Sequence, residues 1–417
     1  MTRARAGARQ DLAPVGVRPR FGEWLQARLR RKTTSARFIP EVDGLRLVAI
    51  ALVVLFHVGV YVAVRQGFAP SAPAHSWLGR IAVQGKHGVQ LFFILSGFIL
   101  GVPFAAHRLA GGTKVDLRRY FLRRVTRLEP PYLLAMLGLA ALLVMTGRYP
   151  AGTVLPHLAA SLGYVHNLVY GRESLVNSVA WSLEVEIQFY LLAPLLAAAL
   201  FRIRSPALRR SIIVALAAAM AALQLTAVRG WTPNLLQALQ YFLAGYLLAD
   251  LYVTDWARSP AGGRGWDVAW FAGWPLLLWS LEAPYAVAVF AFPAVAAMVV
   301  AASLRGKVGR WVLSRPWVTV PGGMCYSIYL LHYPVISAVE RAAAGVIPMP
   351  STVPAALLLH LALNAVPIAL VCGAFYVLVE RPCMDPRWPE RAWRWMSAWF
   401  SRRTPAEVPA RVAGQSR

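Results

Sequence analysis

Ionisable side chains are scarce in the apolar stretches of this chain, and the few present are types that move protons or hold anions. His57 follows Arg46 by eleven residues. On a helix eleven residues turn about 1100°, so the two share one face within roughly 20° and stand about 16 Å apart along the axis. That places an imidazole near mid-bilayer, above a cation at the helix entrance. It suits a general base, or a histidine satisfied inside a helix bundle. Glu184 and Glu186 sit two apart at the start of another apolar run. They point to different faces, so only one can meet a given partner. Glu184 suits a carboxylate reaching back to the interface, and Glu186 lies deeper. A carboxylate beside an imidazole would orient it and stabilise its protonated form. His332 lies within a run that also carries Tyr326, Ser327 and Tyr329. Hydroxyls of that kind can satisfy a buried imidazole, so a structural role weighs evenly against a catalytic one. Arg124 and Arg127, at i and i+3 on the mouth of a further run, share a face and could clamp a phosphorylated ligand. Arg118 and Arg119 read as ordinary positive charge beside a membrane.

Other chemistries lack their residues. The sequence has no Walker A, GxSxG, HExxH or GxGxxG pattern, and no histidine followed five residues later by aspartate. Its three cysteines, Cys325, Cys372 and Cys383, are odd in number and form no CxxC. Neither a disulfide framework nor a zinc site of that type is expected, and no metal is assigned.

The elements that hold these residues must be membrane helices. Of 417 residues 58% are hydrophobic and only 15% charged, and mean hydropathy is +0.51. Soluble domains carry about a quarter charged residues, and disordered chains lack apolar ones. Runs long enough to cross a bilayer are Leu45–Val64, Val89–Ala106, Pro131–Thr146, Trp181–Phe201 and Ile212–Val228. Leu235–Val253, Val268–Leu281, Tyr285–Leu304, Met324–Val339 and Pro354–Val379 follow. The expectation is an all-α bundle of about ten transmembrane helices. With the N-terminus inside and spans alternating, 36 of the 43 Lys+Arg fall inside; Arg65, Arg80, Lys86, Arg148, Arg172, Arg229 and Arg341 fall outside. That bias predicts both termini on the cytoplasmic side. It also accounts for the net charge of +25 without nucleic acid as a partner. Residues 1–37 read as a basic cytoplasmic tail, not a cleaved signal, 38–382 as the membrane domain and 383–417 as a Trp/Arg-rich cytoplasmic tail. Phe21, Trp24, Leu25 and Leu29 beside Arg28, Arg30 and Arg31, and Trp388, Trp395, Trp399 and Phe400 beside Arg391, Arg394 and Arg402, suit helices lying in the headgroup plane. Arg148–Ala180 is the longest outside loop.

Read in order, five segments resemble the membrane-embedded acyltransferase-3 family of bacterial O-acyltransferases. They are Asp43-Gly44-Leu45-Arg46 with His57; Gly88-Val89-Gln90 through Ser96-Gly97-Phe98; and Arg124 and Arg127 with Leu128, Pro130 and Tyr132. Trp181-Ser182-Leu183 with Val185-Glu186 and Gln188-Phe189-Tyr190 is the fourth. The fifth is Tyr326-Ser327-Ile328-Tyr329-Leu330 with His332, and Glu380-Arg381-Pro382 closes the last span. Each segment is weak alone; their order from Asp43 to Pro382 is specific. Gln90 stands where the family usually has Asp, and Ile187 where a second Glu is common, which leaves Glu186 as the matching acid. The resemblance implies a multi-pass protein of the bacterial cytoplasmic membrane that moves an acyl group, commonly acetyl, from cytoplasmic acyl-CoA. The acceptor would be a hydroxyl of a carbohydrate or glycolipid. Acyl-CoA is then a co-substrate, and no permanently bound cofactor is expected. In this frame His57 is the base, Glu186 its orienting carboxylate and Arg46 a group that fixes the donor or poises His57. Arg124 and Arg127 bind the donor, and Ser96, Trp181, Tyr329 and His332 support the substrates. Many relatives carry a fused extracytoplasmic esterase-like domain, for which this chain is too short. The competing reading is a polytopic secondary transporter of a small polar or anionic solute. It predicts inverted repeats, which the sequence does not display. A non-catalytic scaffold gives no reason for His57, Glu186 and the arginine pair to coexist.

Overall fold

The computed structural model describes residues 38–67, 76–226, 234–257, 262–385 and 387–391, together with Leu29, Arg31, Arg394 and Ser397. Most of both tails, with their expected headgroup helices, lies outside the described residues. Those described are helical, with no strand among them. The elements are α1 (Pro40–Arg65), α2 (Trp77–Gln84), α3 (Gly88–Leu109), α4 (Leu117–Met145), α5 (Ala151–Leu162) and α6 (His166–Tyr170). Next come α7 (Trp181–Leu200), α8 (Pro206–Leu225), α9 (Leu235–Leu251), α10 (Arg264–Glu282) and α11 (Tyr285–Arg305). The chain closes with α12 (Lys307–Leu313), α13 (Pro316–Gly323), α14 (Cys325–Ala343) and α15 (Val353–Phe375), which continues through a π-turn to Cys383.

Within the described residues each of the ten apolar runs falls on a helix, but seven helical stretches among them are long and apolar enough to cross a membrane. The three that fall short are α9, α10 and α14. The first has 17 residues before a π-turn. Glycine, proline and polar residues dilute α10, and tyrosines, His332, Glu340 and Arg341 dilute α14. Arg148–Ala180 departs from the expected loop. It folds as α5, α6 and a 3-10 turn at Ser178–Ala180. Proline at the N-terminal boundary and an Ala/Leu-rich stretch suffice for this short helix.

Prolines inside the helices determine how several of them dock. A mid-helix proline frees the carbonyl four residues earlier, and three such carbonyls receive side-chain donors from elsewhere. Pro130 frees Thr126, whose oxygen accepts from Trp388 Nε1 at 2.7 Å. Pro194 frees Tyr190, which accepts from the Tyr120 hydroxyl at 3.2 Å. Pro334 frees Leu330, which accepts from Asn177 Nδ2 at 3.0 Å. The crossing of α3 on α9 rests on glycine. A Cβ on Gly97 would stand 2.3 Å from the Phe242 carbonyl oxygen, and one on Gly245 2.3 Å from that of Ile94. Small residues let membrane helices approach this closely. Phe189 stacks on Phe242 with centroids 3.8 Å apart, tying α7 to the same crossing.

Candidate active site

Two cavities divide the candidate residues. The inner one, about 950 Å³, is lined by Arg31, Arg46, Arg124, Arg127, Ser96 and Glu186 among others. The outer one, about 330 Å³, is lined by His57, Lys86, Gln90, Trp181, Gln237 and Tyr241 among others. Val53, Val89, Phe93, Ser182 and Tyr329 line both, so the cavities meet end to end at this wall. Its hydroxyls are held: Ser182 Oγ donates to the Tyr329 hydroxyl at 3.1 Å, which donates to the Val179 carbonyl at 2.5 Å.

The inner cavity gathers guanidinium groups from three parts of the chain. At the start of α1, Asp43 Oδ1 accepts from Arg46 Nη1 at 2.7 Å and from Arg31 Nη1 at 2.8 Å. Arg46 is thus paired at the helix entrance, with Asp43 as its ion-pair partner among the described residues. Burial, then the nearby Arg127 and Arg46, push the Arg31 guanidinium down to about 10, so it stays charged near neutrality. Arg124 donates to the Tyr120 carbonyl at 2.6 Å and lies over the Tyr120 ring at 3.5 Å. The Arg127 and Arg31 Nε atoms are buried without a hydrogen-bond partner among the described residues.

Glu186 belongs to this inner wall. It accepts from Ser96 across the α3–α7 contact and from the Tyr190 hydroxyl at 2.6 Å one turn on. It does not contact His57, which lines the other cavity, so the expected orienting pair does not form in this geometry. Glu184 is buried, not at the interface: its Oε2 accepts the Asn167 backbone N–H at 2.9 Å and anchors the α5–α6 cap.

His57 instead meets α14. Its ring lies 5.2 Å from His332 and 4.9 Å from Tyr333, centroid to centroid. His332 is fully buried, and its Nδ1 faces the carbonyls of Ile328 at 2.8 Å and Tyr329 at 3.0 Å. Carbonyls only accept, so Nδ1 carries the proton and a neutral ring presents its lone pair at Nε2. That Nε2 is buried without a partner. Trp181 lines the outer cavity, its ring 6.4 Å from Phe93. Sequence reasoning assigned Arg31 to a headgroup helix, and no local pattern marks it as a cavity residue. Tyr333 could have been noticed as the neighbour of His332. No group of three or more metal-ligating side chains that could hold an ion occurs among the described residues.

Helices of this kind around a buried histidine and a ring of arginines define a multi-pass membrane protein, and the chain belongs to the acyltransferase-3 family: the model of that acyltransferase domain matches residues 39–378. Among curated proteins it is similar to the O-acetyltransferase OatA of Staphylococcus aureus, 24% identical over 73% of this chain and 52% of that protein. It also resembles the putative peptidoglycan O-acetyltransferase YrhL of Bacillus subtilis, 28% identical over 39% of this chain and 24% of that protein. The peptidoglycan O-acetyltransferase OatA of Listeria monocytogenes is 26% identical over 45% of this chain and 29% of that protein. The chain spans about half the length, or less, of these relatives. No solved structure matches.

Proposed function

We propose that this chain transfers an acyl group, acetyl by the names of its relatives, from acyl-CoA in the inner cavity to a carbohydrate hydroxyl in the outer one. In this reading all ten long helices cross the cytoplasmic membrane and both termini face the cytoplasm, which puts the arginine-lined cavity on the side where acyl-CoA is found. The acceptor class follows from the relatives' names, a cell-wall glycan. The observation that carries the reading is the meeting of a cationic cavity and a histidine-bearing cavity at one narrow wall. A donor phosphate pairs with the Arg127 and Arg31 guanidinium groups that line the inner cavity while its thioester reaches toward Ser182 and Tyr329. An acceptor ring rests against Trp181 with its hydroxyl at His57. His57 removes the hydroxyl proton as oxygen attacks the thioester carbonyl, and thiolate leaves. The lone pair on His332 Nε2 supports the charged His57 ring. Glu186 holds Ser96 and Tyr190 on the donor side.

The test is acetyl transfer by the purified protein in nanodiscs, from labelled acetyl-CoA to base-deacetylated cell-wall glycan fragments. A positioned base contributes about 10²–10⁴-fold in rate, so His57→Ala should lose nearly all transfer while still binding acetyl-CoA. An active His57→Ala enzyme would refute the assignment of the base. Movement of an unaltered solute by the wild type, with no ester formed, would favour a transporter.

A further inference from the structure

Polar groups continue past His57 toward the end of the bundle opposite the arginines. On α1, His57, Tyr61 and Arg65 follow at four-residue intervals and share one face. Alongside, α14 carries Tyr333, Ser337 and Glu340. The His57 and Tyr333 rings lie 4.9 Å apart, and those of Tyr333 and Tyr61 6.3 Å. The Tyr61 hydroxyl is bonded to Ser337 Oγ. One turn further, about 6 Å along the axis, Arg65 Nη1 stands 3.7 Å from Glu340 Oε2. Glu340 in turn meets His360 Nδ1 of α15 at 2.8 Å and accepts from Asn364 Nδ2 at 2.7 Å. Glu340, His360 and Asn364 are 2%, 0% and 1% exposed. His360 Nε2 and Asn364 Oδ1 have no partner, whereas the Arg65 side chain is 20% exposed and reaches solvent.

A carboxylate, an imidazole and an amide buried in a membrane helix bundle are costly, and such groups mark ion or proton routes. A group of polar side chains used only to join α14 to α15 has no need of further polar side chains leading back, turn by turn, to His57. We propose that this column is the proton exit for His57, which rests on the reading of the chain as an acyltransferase with His57 as its base. During transfer the acceptor O–H bond and the thioester C–S bond break, and the ester C–O bond forms. The hydroxyl proton goes to His57, and the C–S electron pair leaves with the thiolate. The thiolate takes a proton from the aqueous phase on the donor's side. With the acceptor seated, the outer cavity is filled and the imidazolium is covered. Its proton passes through the Tyr333, Tyr61 and Ser337 hydroxyls, each of which both donates and accepts. It then crosses one helical turn, the span of a bridging water, to the Glu340–His360 pair and leaves past Arg65. Tyr61 and Glu340 are thus positioning residues that touch neither substrate.

The test uses the full chain in nanodiscs with acetyl-CoA and base-deacetylated cell-wall glycan fragments, both saturating. Tyr61→Phe removes only a hydroxyl, and Glu340→Gln keeps shape and hydrogen bonding while removing the charge. Each should lower kcat about tenfold, less than loss of the base itself, with KM for acetyl-CoA unchanged. Adding 4-methylimidazole, a diffusible proton carrier, should restore most of the lost rate in Tyr61→Gly, where deletion of the ring leaves it space beside Tyr333 and Ser337, and leave the wild type unaffected. Wild-type turnover in both Tyr61→Phe and Glu340→Gln would overturn the proposal. So would a loss in Tyr61→Gly that 4-methylimidazole does not restore, whatever the melting temperature, because the column would then be a structural fastening. A wild type that transfers nothing would instead remove the acyltransferase reading, and this proposal with it.

Discussion

Replacing Arg127 with Gln separates donor binding from folding, because the two arginines of the third long helix are held differently. Arg124 is bonded to the Tyr120 carbonyl and lies on the Tyr120 ring. Arg127 lines the inner cavity, its Nε buried without a hydrogen-bond partner among the described residues. Arg127→Gln therefore breaks no hydrogen bond among them, although it removes a positive charge felt by the buried Glu380 carboxylate. A hydrogen bond to a charged group contributes about 1.5–3 kcal/mol, and 1.4 kcal/mol is about tenfold in affinity. Arg31 and Arg46 still supply positive charge in the same cavity, so the loss belongs at the lower end. Acetyl-CoA should bind about tenfold more weakly, with a smaller fall in melting temperature in detergent than Arg124→Gln shows. Binding measured by calorimetry in nanodiscs at two salt concentrations adds a second check, since exposed charge pairs weaken as salt screens them. Arg124→Gln should behave in the opposite sense, lowering the melting temperature more than the affinity. Equal donor affinity in Arg127→Gln and wild type would refute the assignment of the inner cavity to an anionic donor.

Other consequences follow from packing and the cap. Gly97→Ala puts a methyl group against the Phe242 backbone and should cost about 1–3 kcal/mol, seen as a lower melting temperature. Gly138→Ala, with nothing within 4 Å of the new methyl, is the neutral control. Asn177→Ala leaves the Leu330 carbonyl, freed by Pro334, without its donor; about 1–3 kcal/mol of stability should be lost, and an unchanged melting temperature would count against that docking role. In the cap, His157 Nδ1 faces His166 Nε2 at 2.7 Å and His166 Nδ1 faces the Arg172 carbonyl at 3.1 Å. Burial pushes both imidazoles down from their ordinary value. Groups lowered in the folded state stabilise it fully above their unfolded value, about 6.5, and lose that contribution as pH falls through the folded values. Amide-exchange protection across residues 151–180 should hold at pH 7.5 and fall progressively at pH values of roughly 6 and below; protection that ignores pH would refute this account.

The helices were legible because hydropathy is a property of the segment itself: within the described residues the runs from Leu45 to Val379 all lie on helices. The short cap helix α5 was not, since twelve residues containing Pro156 resemble a loop, and its order comes from partners such as the Tyr132 hydroxyl on the Ser161 carbonyl at 2.8 Å. At the site, helical spacing correctly put Arg46 and His57 on one face of α1 and Arg124 and Arg127 at one mouth. It could not pair Glu186 with the right partner. Spacing fixes the direction of a side chain relative to its own helix, whereas the identity of the facing neighbour depends on how that helix is rotated in the bundle. The α3–α9–α7 packing set by Gly97, Gly245 and Phe189 turns Glu186 to Ser96. Phe189 lies in α7, but its partner Phe242 and both glycines lie on other helices, so the sequence of α7 alone does not encode that rotation.

Separating the arginines from His57 has a chemical consequence. A thioester held where water enters freely is hydrolysed, and closing a site against water limits that side reaction. On the proposed reading the large cavity carries the charge-binding groups, and the reacting end would meet the acceptor at a wall that includes Val53, Val89 and Phe93. The two hydroxyls at that wall, on Ser182 and Tyr329, have donated their protons to fixed partners. They therefore present lone pairs and apolar surface, not a chain of free donors that would draw water through. The imidazole lies beyond this wall, so deprotonation of the acceptor need not activate water around the donor. On the proposed reading an acyl group that passes between these three apolar side chains would be limited in breadth by their packing. A filter for small acyl groups and a barrier to hydrolysis would then be the same piece of structure, built from residues that carry no charge.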